Sequence, residues 1–394
     1  MAAVSPLAPE RFPTMEPIAG VRLAAHEAGI RYSGRNDMMI AELAPGSTVA
    51  GVFTLSQTPG HPVVWCRQNL IAGCIRAVVV NSGNANVFTG RAGWQVVQAT
   101  AAEAARLFGC TPNEVFISST GVIGEPPPPD RIIAALPGAV EKLSAEAWEP
   151  AARAIMTTDS VPKQAVHRAD GFTVGGMAKG AGMLAPGLAT MLAVVTTDAD
   201  VEPAVLDRVL RAATARTFDR VDSDGCMSTN DTVLLLASGA SGRQPAEEDL
   251  ARAVHAVCSD LSRQLIDDAE GASKTIAVEV IRAASEADAV TVGRAIARSN
   301  LLKCAIHGED PNWGRVLAAV GTTDAAFEPE RLAVSLGGVW VCRDGAAAED
   351  RTKVDLSGRL VTIVVDLAAG EDEATIWTND LTAAYVHENS AYST

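Results

Sequence analysis

The sequence predicts an α+β fold built of stacked layers. Helical and strand-like stretches come in blocks rather than in strict βαβ alternation, which argues against a doubly wound parallel sheet. The chain has 394 residues, 48% of them apolar but only 4% aromatic, and is rich in alanine and glycine, so it packs a large core from small side chains. No internal repeat and no low-complexity linker divides it.

The first forty residues are mixed and end in SGRNDMMIAEL, where Ser33-Gly34 and Asn36-Asp37 turn the chain into a short strand. Val49 to Thr54 alternates as a second strand, and the β-branched run from Cys74 to Val80 suits a buried one. NSGNANVFTG, from Asn81 to Gly90, reads as a loop of turn-formers able to present backbone N–H groups. A helix then opens at Thr89 and Gly90, with Trp94, Val97, Ala101, Ala104, Ala105 and Phe108 near one stripe, and closes at Gly109. Val115 to Ile117 is a short strand leading into a bend, SSTGVIGE, stiffened beyond by Pro126 to Pro129.

A helix from Ser144 toward Met156 meets the TTDS of Thr157 to Ser160. Met177 to Asp198 begins as a glycine-rich turn carrying Lys179 and breaks at Pro186-Gly187. It reaches a buried strand at Met191 to Val195. Helices follow at Pro203 to Phe218, Glu247 to Ala269 and Glu286 to Asn300, and DPNWGR, from Asp310 to Arg315, turns into another. Strands are expected at Thr232 to Ser238, Lys274 to Ala283, Leu332 to Val341 and Leu360 to Leu367.

The net charge of -15 argues against a nucleic-acid partner, which demands a basic footprint, and against an anionic membrane surface. An acidic substrate would need local cations to hold it. The seven cysteines (Cys66, Cys74, Cys110, Cys226, Cys258, Cys304 and Cys342) are scattered without a CxxC pair. No disulfide framework or zinc site is expected, and a reducing cytoplasm is the simplest location. The six histidines form no HxxxH or HxH pattern, so no metal is expected. Pro6, Pro9 and Pro13 without a basic start argue against a signal peptide, and no apolar run reaches the ~18 residues of a membrane span.

Thr190 opens a buried strand just after the small, pliant residues Ala185, Pro186, Gly187 and Ala189. One reading is a β-branched residue starting a strand, as threonine does in many proteins. The other makes it a nucleophile. Cleavage of the Ala189–Thr190 peptide would give Thr190 a free α-amine, with a reference pKa of ~7.7–8.0, able to take the proton of its own hydroxyl. The hydroxyl can make that cut itself by attacking the preceding carbonyl, giving an ester that water opens.

Ser119-Thr120-Gly121 reads either as a strand-ending turn or as donors aimed at an oxyanion. KGAGM lacks the spacing of a phosphate loop, and its Lys179 is either a solvated lysine or a contact for a substrate carboxylate. Glu270 sits unfavourably near a helix C-terminus, which suggests a cationic partner. The polar terminus HENSAYST frays unless it folds back onto a site.

Together these stretches resemble the glutamate N-acetyltransferase family of arginine biosynthesis, also called ornithine acetyltransferases. The resemblance is carried by NSGNAN (Asn81 to Asn86), STGVIGE (Ser119 to Glu125), MTTD (Met156 to Asp159) and KGAGMLAPGLATMLAVVTTDA (Lys179 to Ala199). It continues in the same order through STNDT (Ser228 to Thr232), DPNWGRVLAAVG (Asp310 to Gly321) and the closing ENSAY. It covers nearly all the chain beyond residue 30. The proline tract at Pro126 to Pro129 and Phe88 depart from the family pattern, but neither touches a chemical role.

The resemblance implies a layered α/β/β/α fold and self-cleavage between Ala189 and Thr190, giving an α chain (1–189) and a β chain (190–394). It implies Thr190 as the nucleophile that passes acetyl from N-acetylornithine to glutamate, with Thr120 and Gly121 as the oxyanion hole. Substrate contacts would fall on Thr157, Lys179, Thr190, Glu270, Asn389 and Thr394. No metal or organic cofactor is implied, and the assembly would hold two α and two β chains. Three alternatives stay open on sequence: a bifunctional enzyme that also accepts acetyl-CoA, an N-terminal-nucleophile amide or peptide hydrolase, and a non-processing binding protein of the same fold.

Overall fold

The computed structural model describes residues 4–9, 12–185 and 191–391. The first elements are β1 (Val21–His26), β2 (Met38–Leu43), β3 (Thr48–Phe53), α1 (His61–Asn69), β4 (Ala77–Asn84) and α2 (Gly90–Phe108). Next come β5 (Val115–Val122), α3 (Pro129–Val140), α4 (Trp148–Ala154), β6 (Lys163–Ala169), β7 (Phe172–Lys179) and β8 (Leu192–Thr197). They are followed by α5 (Pro203–Arg216), β9 (Thr232–Ala237), α6 (Glu247–Asp267), β10 (Thr275–Ala283), α7 (Glu286–Ala297), α8 (Asn300–His307) and α9 (Trp313–Val320). The chain closes with β11 (Ala333–Leu336), β12 (Val339–Arg343), β13 (Ala346–Ala347), β14 (Leu360–Asp366), β15 (Asp372–Asn379) and α10 (Ala383–Ala391).

Two sheets stack face to face. One has the order β1-β2-β4-β5 and the other β3-β9-β8-β7-β6. The period-2 alternation of strands sorts their side chains between layers. On β8 and β9, Leu192, Val194, Leu234 and Leu236 join the core shared with the first sheet. Their neighbours Ala193, Val195, Val233 and Leu235 pack with Leu206 and Val209 of α5 and Leu261 of α6. The buried stripe of α2 covers the other face of the first sheet, where Val79, Ile117 and Ser119 meet Val96, Val97 and Thr100. The result is helix, sheet, sheet, helix, the expected layering.

A third sheet, β13-β12-β11-β14-β10-β15, has a core of its own with α7, α8 and α9. Among the described residues no helix is long and apolar enough to cross a membrane.

Several local expectations are corrected. Asn81 to Asn84 is not loop but the end of β4, and Ser119 to Gly121 is not a turn but β5, paired in parallel as Asn81 with Ser119, Ser82 with Thr120 and Gly83 with Gly121. Polar residues can occupy these strand ends because the ladder satisfies their backbone groups. Lys179 is the last residue of β7, so the glycine-rich turn begins one residue later. The single strand expected from Leu332 to Val341 is a hairpin, β11 and β12, turned by Gly337 and Gly338 at φ 56° and 85°. The helix expected from Glu286 to Asn300 stops at Ala297, and Ser299 caps a new one by accepting from the Leu302 N–H.

Candidate active site

The parallel strands β4 and β5 end side by side, and their carboxyl ends form one wall of a cavity of about 170 Å³. Alternation along β5 sends Ser119 toward α2 and the next residue, Thr120, toward the second sheet. From that sheet Lys179 reaches across, and its Nζ donates to Thr120 Oγ1 at 2.9 Å. Both side chains are buried. Gly121 takes φ 124°, and a Cβ there would lie 2.3 Å from the carbonyl carbon of Gly83, so only glycine allows the two strand ends to close.

Thr190 and Ala189 lie outside the described residues, as does Thr394. The residue bonded to Thr190, Met191, donates its N–H to Asp231 Oδ1 at 3.1 Å and accepts from the Thr232 N–H at the head of β9. Next in chain, Leu192 pairs with Lys179. The covalent continuation of Thr190 is thus held beside the strand end that carries Lys179. Asp231 is fully buried, and that burial pushes its carboxyl well above the usual range.

Beneath the cavity lies a buried charge network. Lys163 Nζ sits 2.7 Å from Asp159 Oδ1 and 2.6 Å from Asp268 Oδ2, with all three side chains out of solvent. Asp159 also accepts the Gly180 N–H at 2.6 Å and the Thr157 N–H at 3.0 Å. Asp268 accepts the Ser160 N–H at 3.0 Å and the Ser160 hydroxyl. Burial would raise the Asp159 carboxyl, but Lys163 and then Lys179, with the donated hydrogen bonds, hold it below the ordinary carboxylate range. Lys163 is instead raised, its two carboxylates outweighing burial. Lys179 is lowered by burial, Asp159 opposing.

The far wall is acidic. Glu270 follows the end of α6, its N–H donating to Ala181 O and its Oε2 accepting from Asn389 Nδ2 of α10 at 3.0 Å. A Cβ on Gly182 would fall 2.5 Å from the Glu270 carboxyl, so a larger residue there would displace that side chain. Asp224 accepts the Met183 N–H at 2.7 Å and the Tyr385 hydroxyl at 3.4 Å. Burial raises both the Asp224 carboxyl and the Tyr385 phenol.

Of the residues singled out on sequence, Thr120, Gly121, Thr157, Lys179, Glu270 and Asn389 line this one cavity. The terminal stretch forms α10, which brings Asn389 against Glu270. Glu270 meets a neutral amide among the described residues rather than a cation. Sequence reasoning passed over Asp159, Lys163, Asp224, Asp231, Asp268 and Tyr385. Asp159 and Asp231 stand inside the MTTD and STNDT stretches, and Asp268 opens the DAEG that ends in Gly271, so a signal existed for them; Lys163 carried none, because only the folded chain brings it to Asp268. Asn230, also in STNDT, donates to Ala85 O and to Ser119 O, binding three of the quoted stretches into one wall. Among the described residues no group of three or more His, Cys, Asp or Glu side chains is placed to hold a metal ion.

A cavity of amino-acid size that sets a buried lysine and threonine against two carboxylates belongs to an enzyme handling small charged substrates, not to a surface that grips a polymer. The ArgJ family model matches residues 22–394, and the chain belongs to that family. It is 60% identical over 375 residues to the arginine biosynthesis bifunctional protein ArgJ of Streptomyces coelicolor, spanning 95% of this chain and 98% of that protein. It is 54% identical over 376 residues to the protein of the same name from Thermobifida fusca, with the same coverage of 95% and 98%. Among solved structures, the ornithine acetyltransferase of Mycobacterium tuberculosis complexed with ornithine aligns at 39% identity and a TM-score of 0.42, covering 49% of this chain and 98% of that one.

Proposed function

We propose that this chain moves acetyl from N-acetylornithine to glutamate in arginine biosynthesis through an acetyl ester on Thr190, and that it also makes N-acetylglutamate with acetyl-CoA as donor. Membership of a family whose relatives are arginine biosynthesis bifunctional proteins supports both activities. The observation that carries the site is the gathering of Thr120, Lys179, Glu270 and Asn389, distant in sequence, around one cavity.

The chemistry follows from those positions. The Thr190 hydroxyl attacks the acetyl carbonyl while its α-amine takes the proton. The oxyanion of the tetrahedral intermediate is met by the Thr120 hydroxyl and the Gly121 N–H. Collapse breaks the C–N bond, the proton passes to the departing ornithine amine, and the acetyl group stays on Thr190. The glutamate amine then attacks the ester and frees Thr190. Glu270 and Asp224 suit the ammonium groups that ornithine carries, and glutamate brings carboxylates to the Lys179 side.

In this reading the chain cuts itself between Ala189 and Thr190, the products assemble as two α and two β chains, no metal or organic cofactor takes part, and the enzyme works in the cytoplasm. A Thr190→Ala protein is expected to remain one uncut chain on a denaturing gel and to release no ornithine from N-acetylornithine plus glutamate. Cutting and turnover in that variant would remove Thr190 from the mechanism. For the wild type, acetate released without any N-acetylglutamate would make the chain a hydrolase instead. Glutamate acetylation with acetyl-CoA as sole donor tests the second activity.

A further inference from the structure

Lys179 presents a difficulty as a simple carboxylate contact. Its Nζ is buried at the end of β7 and already donates to Thr120 Oγ1 at 2.9 Å. Of the carboxylates whose charge it feels, Asp159 makes its close ion pair with Lys163, and among the described residues neither Asp231 nor Glu270 comes within ion-pair distance of Lys179. Asp159 nevertheless fixes the backbone of Lys179's neighbour through the Gly180 N–H, so β7 delivers the ammonium to Thr120 in a set direction.

A threonine hydroxyl has one proton and two acceptor lone pairs, whereas an ammonium can only donate. With Lys179 occupying a lone pair, the Thr120 proton must point elsewhere, and among the described residues no acceptor takes it. Thr120 lines the cavity, so the free direction is into that space, where the acetyl-transfer reading puts the carbonyl. A positive charge one hydrogen bond behind a donor also polarises its O–H bond. The site therefore holds a preset chain: ammonium, hydroxyl, oxyanion.

We propose that Lys179 is a positioning residue of the oxyanion hole, acting on the transition state through the Thr120 hydroxyl rather than chiefly by binding a substrate carboxylate. This rests on the acetyl-transfer reading above. The nitrogen holds the Thr120 oxygen as acceptor, the threonine proton is given to the oxygen that becomes negative, and no bond to lysine forms or breaks.

A double-mutant cycle on kcat tests it. Lys179→Met and Thr120→Val are each expected to lower kcat by roughly 100-fold, the scale of losing one oxyanion-hole donor. Together they should cost little more than Thr120→Val alone, within about threefold on the same scale. In a Thr120→Ser background, which retains the hydroxyl, Lys179→Met should keep its full effect. Multiplicative losses in kcat, or a rise in KM for glutamate and N-acetylornithine of equal size with either valine or threonine at 120, would overturn the proposal and return Lys179 to carboxylate binding. Each protein is compared with the wild type by thermal melt. If Lys179→Met melts early, Lys179→Gln, which keeps an N–H donor without charge, replaces it, and the same non-additivity is required. A wild-type protein that transfers no acetyl would defeat the functional reading itself; an active wild type with an additive cycle defeats only this inference.

Discussion

Lys163 shows how much of this site depends on one side chain outside the lining of the cavity. It is buried between Asp159 and Asp268, which between them accept from the backbone of Thr157, Ser160 and Gly180. Removing the ammonium leaves two buried carboxylates without a counter-charge. Lys163→Met is therefore expected to lose roughly 3–5 kcal/mol of unfolding free energy at neutral pH, measured by urea denaturation. The pH dependence has a definite sign. Asp159 is displaced below its unfolded value of ~3.9, so its contribution is present above that value and is lost as pH falls through the lower folded one. Lys163 is displaced upward, so its contribution is present below ~10.4 and fades as pH rises through its folded value. Wild type and variant should thus differ most on the plateau between these limits and converge toward acid. A constant difference from acid to neutral pH would remove the network from the account.

At the scale of elements, the strands rich in β-branched residues or leucine were legible and those built on small residues were not. The β8, β9, β10 and β14 runs are β-branched or leucine-rich, and each stands where its pattern placed it to within two residues. By contrast, β6 and β7 escaped, because FTVGGMAK carries Gly175 and Gly176, which weaken a local strand signal. Those glycines sit in tight packing: a Cβ on Gly175 would meet Ile18 at 2.8 Å, and one on Gly176 would meet Val195 at 3.1 Å and Leu261 of α6 at 3.2 Å, so a larger residue would press on these neighbours. Likewise α3 was hidden by its prolines, although Pro129 occupies the first turn, where no N–H is needed. Helix α10 gives an element-scale prediction. It buries none of its residues, yet supplies Tyr385 and Asn389 to the cavity. A chain ending at Leu381 should melt within a few degrees of the full protein while kcat/KM for acetyl transfer falls more than about tenfold, as expected when a wall holding Glu270 is lost. Full activity in the truncated chain would exclude α10 from the site.

For the whole molecule, the layered class could be read from blocks of helix and strand, whereas the third sheet and its separate core could not. Nothing in local periodicity says which strands will pair, and β10 finds β14 and β15 only across long stretches of chain. The same non-local pairing decides what a cut at Ala189–Thr190 would do. Strand β7 belongs to the first piece and β8 to the second, and they are hydrogen-bonded neighbours in the middle of one sheet. On that sheet's other side β3, from the first piece, pairs with β9 from the second. The two pieces are interleaved, so a cut protein should migrate as one species in native conditions and as two under denaturation.

That interleaving also changes the molecularity of folding. An uncut chain reaches the β7–β8 pairing by a unimolecular search, with its halves tethered at high effective concentration. Once the peptide is opened, the tether is gone, and the same sheet must form by encounter of two molecules. Refolding from urea should therefore be independent of protein concentration for Thr190→Ala and second order for the cut wild type. A cut there would be a late, one-way event: the fold would be made first, and thereafter held by a barrier to unfolding rather than by an easily regained equilibrium.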